Sequence, residues 1–163
     1  MIAGFYGRFT AWQGAWIIHM KDKYIVHFIS KTRKKMIRFI ADQLEDSELS
    51  DLIPTHGNIL TALYESGEKL TMNEIARMVS KDKSTVTYLV NNMTKLGYIT
   101  KENCVHDARI TYISLTRKGR AARKPYEKIS AKIRATAYKG FSKDEKQELL
   151  RLLKKLSQNF SES

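Results

Sequence analysis

Residues 71–96 read TMNEIARMVSKDKSTVTYLVNNMTKL, and this stretch decides the fold. Thr71 is followed three residues later by Glu74, which is the spacing of a capping box and predicts a short helix beginning just after Thr71. Asp82 offers a second N-cap oxygen, so another helix is predicted from Lys83. Two short helices joined by a tight turn are the arrangement of a helix-turn-helix.

Three small or branched residues support this arrangement. Ala76 lies inside the first helix, Ser80 follows four residues later in the turn, and Val86 follows six residues after that in the second helix. This spacing allows the second helix to pack steeply against the first. Glycine is the commoner turn residue, so Ser80 is an imperfect match.

The second helix has an apolar stripe on one side and an uncharged polar face on the other. The stripe comprises Val86, Leu89, Val90, Met93 and Leu96. The opposite face has hydroxyls and amides but no acid, whereas solvated helix faces usually mix Glu with Lys. An acid-free face suits a groove lined with phosphates, so we predict DNA contacts from Lys83, Ser84, Thr85, Thr87, Tyr88, Asn91, Asn92 and Lys95.

The charge distribution points to a polyanionic partner. The 163 residues have a formal net charge of +12. Residues 69–124 contain 12 basic and 4 acidic residues, whereas residues 46–68 contain five acids and no base. Nucleic acid and an anionic membrane surface are the usual partners of such a surplus. Its location around the helix-turn-helix favours double-stranded DNA, and no apolar run has the length of a membrane span.

The composition argues against several other classes of protein. A single cysteine, Cys104, excludes an intramolecular disulfide and fits the cytoplasm. The four histidines lack the spacing of a metal site, and no Gly-rich phosphate loop or catalytic arrangement is present, so we expect no metal, no cofactor and no enzyme activity.

Further elements flank the helix-turn-helix on both sides. A long amphipathic helix is predicted over residues 22–44, and Pro54 suits the first turn of a second helix. The runs YITKEN and RITYISL predict a β-hairpin. Thr116 predicts a helix through about Tyr138, kinked at Pro125, and Ser142 with Glu145 predicts a last one. Residues 1–19 are either an upstream extension, with aromatic residues at helical spacing, or part of the core fold.

The stretch from Leu70 to Gly119, about a third of the chain, resembles the winged helix-turn-helix of MarR-type transcriptional regulators. The similar motifs are "STVT-x-LV" in the recognition helix, "LGYI" after it, "D-x-R" in the wing and "LT-x-KG" in the next helix. The resemblance implies a homodimer formed by N- and C-terminal helices on a pseudo-palindromic operator, with repression relieved by a small ligand or by oxidation. Many family members have Arg where this chain has Tyr88 and Asn92, so guanine contacts are weakened and A·T-rich half-sites are favoured.

The resemblance also implies roles for residues outside the recognition helix. Arg109 corresponds to the wing arginine that reaches the minor groove, and Asp107 to the acid that orients it. Basic residues expected to contact phosphates are Lys101, Arg117, Lys118 and Arg120. An effector pocket is assigned to His27, Phe28, His56 and Tyr64, although core roles are the commoner explanation for such residues. The peroxide sensors of the family have their cysteine in the N-terminal helix, so Cys104 is expected to be incidental.

The sequence therefore predicts a mainly α chain with a small β-hairpin wing. Its winged helix-turn-helix covers residues 54–119, and its dimerisation helices cover residues 20–53 and 120–163. The predicted function is a sequence-specific DNA-binding repressor that acts as a homodimer and is released by a small-molecule effector. The alternative is a winged-helix module for non-specific nucleic-acid binding or for protein interaction.

Overall fold

The computed structural model describes residues 22–67, 69–105, 107 and 109–160. After a 3₁₀ turn, the helices are α1 Ile25–Glu45, α2 His56–Glu65, α3 Met72–Val79, α4 Lys83–Lys95, α5 Arg117–Ala121, α6 Arg123–Ala137 and α7 Lys143–Asn159. The strands are β1 Lys69–Thr71, β2 Ile99–Asn103 and β3 Thr111–Leu115. The predicted fold class, mainly α with a small β wing, is confirmed. Residues 1–19 lie outside the described residues.

The chain forms two compact units, residues 1–39 and residues 40–163. In the first, the described part comprises the 3₁₀ turn and the beginning of α1, where Tyr24, Val26 and Phe28 are exposed. The second contains the rest of α1 and every other element named above. The predicted division at residues 54 and 120 rests on expected roles rather than on compactness, and stays a prediction.

The core of the second unit contains apolar side chains of α2, α3 and α4 and of the sheet. The predicted stripe of α4 is confirmed, because Val86, Leu89, Val90 and Met93 are buried and Leu96 packs against them. These side chains meet Ile59, Leu60 and Leu63 of α2, Ile75 of α3 and Ile113 of β3 in one cluster. Burial of the stripe leaves the polar face of α4 directed outward.

The sheet has one strand more than the predicted hairpin. The strand order is β1-β3-β2, and both pairs of neighbouring strands are antiparallel. Ile113 of the central strand β3 lies between Leu70 of β1 and Lys101 of β2. The three residues of β1 are too few to show the alternation by which a strand is predicted. Pairing with β1 ties the wing to the first residue of the helix-turn-helix.

The predicted helix from Thr116 to about Tyr138 is divided into α5 and α6 at Ala122. Pro125 has no N–H to bond the carbonyl four residues earlier, and its ring crowds that carbonyl. The prediction was therefore wrong in its continuity, since the helix breaks three residues before the proline. The capping box of Ser142 and Glu145 at the start of α7 is confirmed.

Candidate nucleic-acid interface

The start of α3 is fixed by the hydrogen bonds that the sequence predicted, and its end by a residue in the left-handed conformation. The Thr71 hydroxyl oxygen accepts from the Glu74 N–H at 3.2 Å, and the Glu74 carboxylate accepts from the Thr71 N–H at 2.7 Å, which confirms the capping box. Ser80 ends α3 in the left-handed conformation with φ 49°. That conformation favours glycine, which explains why glycine is the commoner residue at this turn.

The polar face of α4 is open to solvent along its length. Tyr88 is 64% exposed, and Ser84, Asn91 and Lys95 are exposed as well. Lys83 at the beginning of the helix is also exposed, whereas Thr85, Thr87 and Asn92 are half-buried at its edges. All eight residues predicted from this helix therefore lie on its outer face or beside it.

Asp82 caps α4 and binds two hydroxyls of the first turn. Its Oδ1 accepts from the Thr85 N–H at 2.8 Å and from the Ser84 hydroxyl, and its Oδ2 accepts from the Thr85 hydroxyl at 2.7 Å. These hydrogen bonds hold the pKa of the Asp82 carboxyl well below its usual range. The carboxylate is therefore ionised wherever the protein is folded under ordinary conditions.

Two further polar groups of α4 have partners within the chain. The Thr87 hydroxyl donates to the Lys83 carbonyl oxygen at 2.7 Å. The Asn91 Oδ1 accepts from the Lys101 ammonium group, which comes from β2. The wing strand and the recognition helix are thus joined by side chains that were both predicted to contact DNA.

The tip of the wing is shaped by Asp107. Its Oδ1 accepts from the backbone N–H of Arg109 at 2.9 Å, and its carbonyl oxygen accepts from the N–H of Ile110 at 3.0 Å. Arg109 is exposed, and Cys104 is half-buried at the base of this turn. Asp107 therefore positions the backbone from which Arg109 projects.

Lys118 and Arg120, expected as phosphate contacts, are exposed and also have hydrogen-bond partners within the protein, so their role stays a prediction. The Lys118 ammonium donates to Asp51 at 2.7 Å and to the Leu96 carbonyl at 2.9 Å, and lies 4.1 Å from the centre of the Tyr98 ring. The Arg120 guanidinium donates to a carbonyl oxygen of β3 at 2.7 Å. Arg117 is exposed beside them.

Asp51 is a positioning residue that sequence reasoning missed. It also accepts from the hydroxyl of Tyr98, a buried side chain, at 2.6 Å. Burial alone would raise the pKa of Asp51, but the hydrogen bonds from Lys118 and Tyr98 outweigh it and lower the pKa. Asp51, which lies in the acidic segment of residues 46–68, thereby connects Lys118 of α5 with Tyr98, just before β2, and Lys118 in turn bonds the end of α4.

Two of the four residues assigned to an effector pocket have structural contacts in the core. His56 is 1% exposed, and its Nδ1 accepts from the Ile53 N–H at 3.2 Å. The Tyr64 hydroxyl donates to the Gly119 carbonyl at 2.8 Å. His27 and Phe28 are exposed on α1. The effector assignment stays a prediction.

A cavity of about 530 Å³ lies elsewhere in the second unit. It is lined by the end of α1, the acidic segment that follows and one side of α6, comprising Gln43, Asp46, Ser47, Glu48, Lys124, Pro125, Lys128, Ile129 and Lys132. None of the four predicted effector residues lines it. Within the described ranges, no three His, Cys, Asp or Glu side chains are grouped to hold a metal ion, and no helix is both long and apolar enough to cross a membrane.

Comparison with known proteins gives matches over most of the chain. A family model described as MarR family matches residues 50–110. The HTH-type transcriptional regulator YkoM of Bacillus subtilis is 30% identical over 112 residues, 69% of this chain and 72% of that protein. The HTH-type transcriptional regulator SarZ of Staphylococcus aureus is 28% identical over 69% of this chain and 73% of its own. The structure of Sco3205, a MarR family regulator from Streptomyces coelicolor in complex with DNA, has a TM-score of 0.75 at 17% identity and covers 85% of this chain and 86% of that one.

Proposed function

Because this chain belongs to the MarR family of transcriptional regulators, we propose that it is a cytoplasmic, sequence-specific DNA-binding repressor. It binds a pseudo-palindromic operator as a homodimer and is released by a small-molecule effector. One observation carries the proposal. The outer face of α4 presents hydroxyls, amides and lysines without a carboxylate, on a helix whose other side is buried in the core.

In this proposal α4 enters the major groove with its first turn nearest the base edges. Hydroxyls and amides of that face form hydrogen bonds with the base edges, and threonine methyls contact the methyl group of thymine. Phosphates are bound by the exposed basic residues Lys83, Lys95, Lys101 and Arg117. Arg109 extends from the wing into the minor groove, where narrow A·T tracts have the strongest negative potential.

The proposed homodimer is supported by an apolar surface on α7. Leu150, Leu152 and Leu153 are about half exposed, and Phe160 beyond the end of α7 is 76% exposed. Large apolar side chains grouped on one helix are typical of an interface between subunits. A second copy of the chain supplies the same surface, as a two-fold axis requires.

DNA binding is tested by selecting sites from a random DNA pool with the full chain. We expect one palindromic site with half-site centres about one helical turn apart, and an affinity that falls steeply with salt. Equal affinity for the selected site and for unselected DNA at moderate salt would contradict sequence-specific regulation and favour the non-specific alternative.

The wing is tested with Arg109→Ala. We expect operator affinity to fall roughly tenfold, or about 1–2 kcal/mol, without a change in melting temperature. Lys143→Ala removes an equally exposed charge from the beginning of α7 and serves as the control. An unchanged affinity for the Arg109 variant would remove its assigned role.

The dimer is tested by analytical ultracentrifugation of Leu153→Glu beside its neighbour control Lys154→Glu. The first should dissociate the protein and weaken operator binding, and the second should leave it dimeric. A parent chain that is monomeric at micromolar concentration would refute the dimer. Release is tested by screening small molecules for loss of the operator complex.

A further inference from the structure

The polarity of the hydrogen bonds on α4 is set within the protein before any DNA is bound. Building on the proposed DNA binding, we propose that Asp82 is a specificity-determining residue, which turns the hydroxyls of Ser84 and Thr85 into acceptors only. The bases that these hydroxyls contact must then present an amino group in the major groove, which means adenine or cytosine.

The contacts of Asp82 show how this works. A carboxylate can only accept hydrogen bonds, and a hydroxyl has a single proton to donate. Ser84 and Thr85 each donate that proton to Asp82. Lone pairs are then the only hydrogen-bonding capacity that the two hydroxyl oxygens can offer to another molecule.

Thr87 and Asn91 on the same face also have a defined hydrogen-bonding polarity. The Thr87 proton is engaged by the Lys83 carbonyl, so its oxygen is also left as an acceptor. Asn91 has the opposite polarity, because an ammonium group can only donate and Lys101 therefore fixes Oδ1 as the bonded atom. The amide N–H groups of Asn91 remain to donate. The hydroxyls of Ser84, Thr85 and Thr87 thus present acceptors, and Asn91, further along, presents a donor.

Base edges in the major groove distinguish these polarities. Adenine N6 and cytosine N4 are donors, whereas guanine O6 and thymine O4 occupy the corresponding places as acceptors. A hydroxyl that can only accept forms a hydrogen bond with adenine N6 or cytosine N4. Opposite guanine O6 or thymine O4, its lone pairs face the lone pairs of the base and repel them. A transition at the contacted base pair, A·T to G·C or the reverse, therefore replaces a donor by an acceptor or an acceptor by a donor.

Asp82→Asn changes this polarity at one position. The Thr85 N–H still requires Oδ1 as its acceptor, so the side-chain NH₂ replaces Oδ2 opposite the Thr85 hydroxyl. That hydroxyl must then accept from the introduced amide and donate its own proton outward. Asparagine is as good an N-cap as aspartate, so the helix is retained.

The experiment is site selection from a random DNA pool with four full-length proteins: the parent, Asp82→Asn, Thr85→Val and the control Glu74→Gln. The control alters a matching carboxylate, which accepts from the Thr71 hydroxyl at 2.7 Å at the start of α3, outside the predicted contact face. Melting temperatures verify that each variant is folded. Thr85→Val keeps the shape of the side chain and removes the hydroxyl.

We expect the parent to favour one base over its transition partner roughly fivefold at one position of each half-site, the worth of one neutral hydrogen bond. Asp82→Asn should reverse that preference, Thr85→Val should abolish it, and Glu74→Gln should leave it unchanged. A parent that selects no site would overturn both the proposed function and this inference. A selected site that is identical in the parent and Asp82→Asn would overturn the inference alone, whatever Thr85→Val does.

Discussion

Replacing Asp51 tests how the recognition helix and the wing are held together. Asp51→Ala leaves the buried Tyr98 hydroxyl without its acceptor, which costs about 1–3 kcal/mol. The lost ion pair with Lys118 adds at most about 1 kcal/mol, because the two side chains are 49% and 36% exposed for Lys118 and Asp51. We therefore expect the free energy of unfolding, measured by urea titration followed by circular dichroism, to fall by about 1–4 kcal/mol.

Two variants make this prediction specific. Asp51→Asn keeps an acceptor for the Tyr98 hydroxyl but loses the charge and the acceptor for the exposed Lys118 ammonium, so it should lower the free energy of unfolding by no more than about 1 kcal/mol. Glu48→Ala removes an exposed acid of the same segment and should change little. Equal losses for the alanine and asparagine variants at Asp51, or no loss for either, would refute the reasoning.

The difference in stability between the parent and Asp51→Asn should also depend on pH. The folded-state pKa of Asp51 lies below its ordinary value of 3.8. The unfolded chain therefore takes up the proton first, and the stabilisation by this carboxylate is complete above that value and is lost as the pH falls below it. The difference in unfolding free energy between the parent and Asp51→Asn should shrink in the acid range. A difference that stays constant from neutral to acid pH would contradict the assignment.

Two further substitutions test the core around the site. A Cβ on Gly119 would lie 2.1 Å from the Tyr98 carbonyl oxygen, so Gly119→Ala should cost about 1–3 kcal/mol of unfolding free energy in urea. In Gly57→Ala the new Cβ meets only the end of a tyrosine side chain at 3.2 Å, so the change should stay below about 1 kcal/mol, and equal effects would be a refutation. Burial lowers the pKa of His56 from 6.5, so the unfolded chain binds the proton first and the parent should lose stability as the pH falls from about 7 to 5. His56→Asn keeps an acceptor for the Ile53 N–H and should remove that slope in urea titrations, and an undiminished slope would contradict the role of His56.

Local signals predicted the recognition unit well. The caps at Thr71 and Asp82 mark the starts of α3 and α4 correctly, because each is a contact between residues at most three apart. The apolar stripe of α4 predicted which side is buried. The opposite, polar side of α4 is exposed as the same stripe implies, and its assignment to DNA contacts stays a prediction.

Contacts between distant residues could not be predicted in the same way. The hydrogen bond from Lys118 to Asp51 joins residues 67 positions apart, so no local pattern signals it. β1 has only three residues and exists through pairing with β3, more than forty positions later. The direction in which the hydroxyls of Ser84 and Thr85 donate also depends on three-dimensional geometry.

The hydrogen bond between Lys101 and Asn91 has a consequence for how affinity and sequence preference are related. Lys101 is a phosphate ligand in the proposed complex, and Asn91 is a base or phosphate ligand on a different element. Since each orients the other, their contributions to binding cannot be independent. Substituting both should weaken the complex by less than the sum of the two single losses, so changes in salt dependence and changes in base preference should arise together in this protein.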